Sequence, residues 1–151
     1  MKKCKVGYTT GVFDLFHIGH LNLLRRAKEQ CDYLIVGVST DELVQEYKNK
    51  KPVIPYEERI QIVEAIKYVD EVVPQVNRDK IEEYKRIHFD VMFVGDDWKG
   101  NPLFEQVERE LAQYGSTVVY LPYIRTTSST LLTQVLKTLV MQDMTHGSRS
   151  V

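Results

Sequence analysis

The feature that most constrains the fold of this chain is a regular alternation of short apolar runs with amphipathic stretches of helix length. Tyr33-Leu34-Ile35-Val36-Gly37-Val38 is a near-continuous apolar run of strand length, as expected of a strand covered on both faces. Val6–Thr10, Glu71–Val73 (ended by Pro74), Val91–Val94 and Thr117–Leu121 read as four further strands. Ile18–Gln30 carries Ile18, Leu21, Leu24 and Ala27 at helical spacing, with Leu23 widening the stripe. Ser39-Thr40-Asp41-Glu42 caps a second helix that Lys48-Asn49-Lys50-Lys51-Pro52 interrupts, and Pro55-Tyr56-Glu57-Glu58 starts a third. Arg78–His88, Leu103–Tyr114 and Ser128–Leu139 complete the helices. Parallel strands need crossovers of helix length, so the pattern predicts an α/β fold. The expected architecture is a single-domain, doubly wound, Rossmann-like five-stranded parallel sheet over residues 1–140, with a polar, frayed tail over 141–151.

A chain of 151 residues suffices for one such domain and not for two. The formal net charge of -1 supplies no global field toward nucleic acid or an anionic membrane, so any anion site must be local. No apolar run approaches a membrane span, and Met1-Lys2-Lys3-Cys4-Lys5 leads into a strand without a signal-peptide core. Cys4 and Cys31 have neither the density of a disulfide scaffold nor the close spacing of a zinc site. The expectation is a cytoplasmic protein with two reduced thiols, to which no role is assigned.

The most informative stretch is Gly11-Val12-Phe13-Asp14-Leu15-Phe16-His17-Ile18-Gly19-His20, between the first strand and the first helix. An α/β sheet presents backbone N–H groups to ligands at such a junction. The Gly-x-Gly-x-x-Gly of a dinucleotide fold and the Gly-Lys-Ser/Thr of a P-loop are both lacking, which disfavours a dehydrogenase. What the stretch offers is two imidazoles three residues apart on one face of a helix N-terminus, with Gly19 leaving room between them. Beside the positive end of a helix dipole they suit phosphate oxygens, and charge growing in a transition state above all. A lone His near a helix start is ordinarily a cap or a surface residue, and Phe13, Leu15 and Ile18 have the character of core. A metal is the other option, if Asp14 or a distant residue were to complete a ligand set.

At these residues the chain resembles the cytidylyltransferase family, whose hallmark is His-x-Gly-His after a Gly-x-Phe-Asp turn, and within it the enzymes acting on glycerol phosphate. The resemblance implies that His17 and His20 hold the triphosphate of CTP and that Gly11, Val12, Phe13 and Asp14 line the nucleotide pocket. Further motifs follow in the family's order. Lys48-Asn49-Lys50-Lys51, four residues before Tyr56-Glu57-x-Arg59, would alone be a solvated charge run. By resemblance it is the loop that binds the acceptor's phosphate, with Lys48, Lys50 and Arg59 as candidates. Lys67, opening Lys67-Tyr68-Val69-Asp70-Glu71-Val72, stands where the family has a basic residue on a nucleotide phosphate. Gly95-Asp96-Asp97-Trp98 follows the fourth strand; the resemblance gives Asp96 and Asp97 to the nucleotide pocket and Trp98 to the acceptor. Arg125, Thr126, Ser129 and Thr130 match the element that grips phosphates before the last helix. The Glu-Gly-Ile usual there is absent, and Thr127 and Ser128 fill a shorter gap. One hydroxyl among Ser128 to Thr130 is expected to be an N-cap.

The implied reaction moves CMP from CTP onto a small phosphorylated alcohol, glycerol 3-phosphate first, with pyrophosphate released. Phosphocholine, phosphoethanolamine or a precursor of capsule or teichoic-acid-like polymers are alternative acceptors, and an ATP-using adenylyltransferase is an alternative chemistry. A nucleotide-binding module without catalysis is the reading from another class. The expected catalytic set is His17, His20, Lys50 and Arg125, with Mg²⁺ carried on the phosphates and no protein metal site assigned. The implied assembly is a homodimer, with neither nucleic acid nor membrane as partner.

Overall fold

A computed structural model describes residues 4–122 and 128–145. Five strands, β1 (Cys4–Gly11), β2 (Cys31–Ser39), β3 (Glu71–Gln75), β4 (Val91–Gly95) and β5 (Thr117–Leu121), form one parallel sheet in the order β3-β2-β1-β4-β5. They alternate with helices α1 (Ile18–Glu29), α2 (Asp41–Lys48), α3 (Tyr56–Glu64), α4 (Lys80–Ile87), α5 (Pro102–Ala112) and α6 (Ser129–Thr145). The doubly wound architecture expected from the alternation is the one observed.

Period-two alternation divides the core between the two faces of the sheet. Leu34, Val36 and Val38 of β2 join Phe93, Leu24 and Ala27 of α1 and Val63 of α3 in one cluster. Ile35 and Met92 point the other way, toward Tyr8, Phe89 and Leu111, with Ile81 and Tyr84 of α4 and Val107 of α5 packed alongside. Among the described residues, no helix is long and apolar enough to cross a membrane.

Three boundaries depart from the pattern. Pro74 lies inside β3 rather than ending it, aligned with Val38. This is possible because β3 is an edge strand, where a missing N–H costs no ladder bond. Helix α4 starts two residues later than expected, because Asp79 becomes its N-cap and its Oδ1 accepts from the N–H groups of Ile81 and Glu82. Helix α6 runs on to Thr145, six residues past Leu139 and into the expected tail, since no Gly or Pro interrupts it there.

Chain direction along the sheet reverses at β1, with β2 and β3 on one side and β4 and β5 on the other. The ladder between β1 and β4 pairs Gly7 with Val91 and Tyr8 with Met92. Beyond that the strands are bridged by the Thr9 hydroxyl, which donates to Phe93 O at 2.9 Å. The carboxyl ends of β1 and β4 thus part at the switch point, where doubly wound sheets bind their ligands.

Candidate active site at the switch point

A cleft of about 630 Å³ opens there, floored by Thr9 to Val12 of the β1 end and by Met92 to Gly95. Its size is in the range of small-molecule sites. The loop leaving β1 is held in an unusual backbone conformation: Phe13 and Leu15 have φ of 54° and 50°, in the left-handed region that bulky side chains avoid. Each such residue costs on the order of 1 kcal/mol or more, so neighbours must fix the loop. The Phe13 ring, 4% exposed, anchors it in the core. The Asp14 carboxylate accepts from Val53 N–H at 2.8 Å and Ile54 N–H at 2.9 Å, joining the β1 loop to the segment after the lysines. The Asp14 carbonyl accepts from the Ser129 hydroxyl, which ties the first turn of α6 to the same loop. Asp14 and Ser129 are thus brought together, each engaged with protein.

The two histidines form a cap on α1. His17 is the N-cap residue, and its Nδ1 accepts from Gly19 N–H at 3.0 Å. His20 Nδ1 accepts from His17 N–H at 3.2 Å, completing a capping box in which imidazoles replace the usual hydroxyl and carboxylate. The rings lie 4.0 Å apart, and His20 packs edge-on against Phe13 at 5.4 Å and tilted against Phe16 at 5.2 Å. A backbone N–H can only donate, so each Nδ1 is unprotonated and each neutral ring carries its proton on Nε2. Burial lowers the affinity of both rings for a second proton. It pushes His20 down to about 3, with His17 adding repulsion, and lowers His17 as well. The pair is a neutral double N–H donor at physiological pH, at the positive end of the α1 dipole.

The other expected site residues divide. Lys48 ends α2 and lines the cleft with Gly11, Val12 and Trp98. Its ammonium is pulled below the usual range by partial burial, then by Lys50 and Arg78. Lys50 is exposed in the following loop, just beyond Asn49, which adopts a left-handed conformation at φ 53°. Asp96 and Asp97 are exposed in a 3₁₀ turn (Asp96–Trp98) directly after β4, and the Trp98 ring packs on Phe104 at 5.1 Å. Ser128 is the hydroxyl that caps α6, accepting from Leu131 N–H at 3.0 Å, and Thr130 is exposed two residues on. Arg125 and Thr126 lie outside the described residues.

Two residues stand apart from the cleft lining. Arg59, expected to meet the acceptor, is 1% exposed. Its guanidinium donates to Ile54 O, Val12 O and Ser39 O and pairs with Asp41 at 2.7 Å, so it locks the loops around the cleft from beneath. Lys67, expected on a nucleotide phosphate, precedes β3, whose first residue Glu71 aligns with Ile35. The length of β3, about 17 Å at about 3.3 Å per residue, separates it from the carboxyl ends where the histidines stand. A basic residue near a strand start reads the same in sequence whichever end of the sheet it faces.

Sequence reasoning passed over Tyr47, Arg78 and Lys80, all of which line the cleft. The signal was available: Arg78 and Lys80 follow a strand, and in a parallel sheet every segment after a strand opens on the ligand side.

Known proteins resemble the chain in sequence and in shape. Residues 8–144 match the family model described as Cytidylyltransferase-like. A glycerol-3-phosphate cytidylyltransferase of Bacillus spizizenii is 47% identical over 115 residues, covering 76% of this chain and 83% of that protein. An FAD synthase of Thermococcus kodakarensis is 36% identical over 135 residues, 85% of this chain and 89% of the relative. The crystal structure of a lipopolysaccharide core biosynthesis protein from Thermoplasma volcanium superposes with a TM-score of 0.67 at 24% identity, over 82% of this chain and 98% of that one. This last likeness concerns the fold.

Proposed function

The chain belongs to the cytidylyltransferase-like family, and on that premise we propose that it transfers CMP from CTP to glycerol 3-phosphate, giving CDP-glycerol and pyrophosphate. It is a nucleotidyltransferase. The observation that carries the reading is the imidazole capping box on α1, which sets two Nε2–H donors beside the strained loop at the switch point.

A phosphate oxygen of the acceptor attacks the α-phosphorus of CTP in line. The new bond is P–O, the bond that breaks joins the α-phosphorus to the bridging oxygen of the β-phosphate, and pyrophosphate leaves with that oxygen. The attacking phosphate is mostly dianionic at neutral pH, its second pKa being about 6, so no general base is needed. The difficulty is to bring two polyanions together, and the protein answers it with positioned donors and charge. His17 and His20 donate to the triphosphate while neutral, so they do not depend on prior protonation. Lys48 and Lys50 meet the acceptor's phosphate, and Arg125, Thr126 and Thr130 the nucleotide's. Asp14, Arg59 and Ser129 hold the loops in register.

A Mg²⁺ ion carried on the triphosphate would supply neutralisation of part of its charge. Among the described residues no group of three or more His, Cys, Asp or Glu could hold a metal ion. The cytoplasm suits two cysteines that stand as free thiols. A homodimer would cover Leu131, Val135, Leu139 and Val140, which α6 exposes; light scattering tests it.

Pyrophosphate release with CTP or ATP, Mg²⁺ and a panel of phosphorylated alcohols tests the function. CTP with glycerol 3-phosphate is expected to be fastest. The second reading, adenylyl transfer from ATP, has support in the FAD synthase relative and in the shortened segment from Arg125 to Thr130. Faster release with ATP would establish it instead.

A further inference from the structure

Past the β1 loop the cleft has a second wall, made by Tyr47 and Lys48 at the end of α2 and by Arg78 and Lys80 at the start of α4. Three cations converge there. The ammonium of Lys80 reaches Thr10 Oγ1 at 3.4 Å, which places it over the end of β1. Of the acids around the cleft, Glu110 accepts from Gln106 Nε2 at 3.2 Å, two more are held by backbone N–H groups, and one pairs with Lys80 and offsets part of its charge. Asp79 caps α4, Asp14 holds the N–H groups of Val53 and Ile54, and Glu83, 2% exposed, lies 3.8 Å from Lys80 on the core side.

The wall also has one aromatic face, and that face is filled. The guanidinium carbon of Arg78 sits 4.4 Å from the centroid of the Tyr47 ring, and the Lys48 ammonium 5.6 Å from it. An ammonium-bearing ligand is usually recognised by an open aromatic face or a free carboxylate. Here the protein's own cation occupies the face, and the flanking groups are positive. Small phosphate esters all share the reacting phosphate, which Lys48 meets, and differ at the other end, so the remaining cations of this wall can tell them apart.

We propose that Arg78, seated on Tyr47, determines acceptor specificity: the site takes phosphate esters of uncharged or anionic alcohols and rejects those whose alcohol carries an ammonium group. The inference rests on the transfer reading above and narrows its acceptor class. It works by repulsion as much as attraction, since a cationic acceptor meets like charge at this wall and finds the Tyr47 face already taken.

The test measures kcat/KM with CTP and Mg²⁺ for glycerol 3-phosphate and for phosphoethanolamine, in the wild type, Arg78→Gln and Arg78→Lys. The wild type is expected to favour glycerol 3-phosphate. Arg78→Gln is expected to narrow the ratio about tenfold, equivalent to one electrostatic contact of about 1.4 kcal/mol, with KM for CTP unchanged. Arg78→Lys, which keeps the charge and loses the planar stack, is expected to fall between them. The same ratio is read without turnover by calorimetric titration of the two acceptors into protein saturated with α,β-methylene CTP. If CTP is never turned over, the transfer reading fails while the titration still scores Arg78. An unchanged ratio in Arg78→Gln, a wild type that prefers phosphoethanolamine, or binding of neither acceptor overturns the proposal.

Discussion

Because His20 is held neutral and half-buried in the folded protein and free to take a proton in the unfolded one, stability must depend on pH in a specific window. Its folded value is down at about 3 against an ordinary 6.5. Between those values the unfolded chain binds more protons, so the folded state loses ground as pH falls below 6.5, and the loss is complete near pH 3. At pH 5 the unfolded ring is protonated about thirtyfold over neutral while the folded ring stays neutral, a difference of about 2 kcal/mol. At pH 6 it is about 0.8 kcal/mol, and above pH 7.5 it vanishes. The control is His20→Asn, whose side-chain oxygen can still accept from His17 N–H but which does not titrate. Urea unfolding followed by circular dichroism at pH 7.5, 6.0 and 5.0 gives the comparison. The wild type should lose about 2 kcal/mol more than His20→Asn between the outer values. Parallel pH profiles for the two proteins would refute the claim that the ring is held unprotonated.

Other substitutions test neighbouring parts of the account. His17→Ala and His20→Ala should each lower kcat/KM by two to three powers of ten, about 3 kcal/mol of transition-state stabilisation, in steady-state pyrophosphate assays. His17→Ala also removes the cap on α1 and should cost about 1 kcal/mol of stability by urea unfolding. Arg59→Met strands three carbonyls, that of Ser39 buried, and the Asp41 carboxylate, and should destabilise the protein by about 3 kcal/mol; a loss under about 1 kcal/mol would contradict the network. Lys67→Ala should leave KM for CTP within about twofold of wild type, since its strand separates it from the ligand end; a loss of about tenfold in kcat/KM would return it to the site.

Strand positions were legible because a parallel sheet buried on both faces leaves runs such as Leu34–Val38, and their short length between helix-length stretches fixed the reading as strands. The histidine loop stood out in the sequence through two imidazoles one turn apart at a strand-to-helix junction, and its expected role on a triphosphate came from the family resemblance. What sequence could not show was how side chains meet across the fold. Arg59 looks like a surface cation on a helix start until its four partners, drawn from segments up to 47 residues away, are seen to enclose it. Asp14 reads as a pocket lining, yet its carboxylate spans 39 and 40 residues to backbone N–H groups. Pro74 reads as a strand end because a strand's place at a sheet edge is a property of topology. The imidazole capping box lay between these cases, since its spacing was visible and its tautomers needed hydrogen-bond geometry.

The central claim is that two neutral imidazoles, each with its proton on Nε2, hold the triphosphate at the mouth of α1. Long-range ¹H–¹⁵N NMR of the histidine rings at pH 7, with and without CTP and Mg²⁺, addresses it directly. The account predicts unprotonated Nδ1 and protonated Nε2 on His17 and His20 in the free protein, and a CTP-dependent shift of both Nε2 resonances with the tautomers retained. Rings that carry the proton on Nδ1, or Nε2 resonances that saturating CTP leaves unmoved, would contradict it.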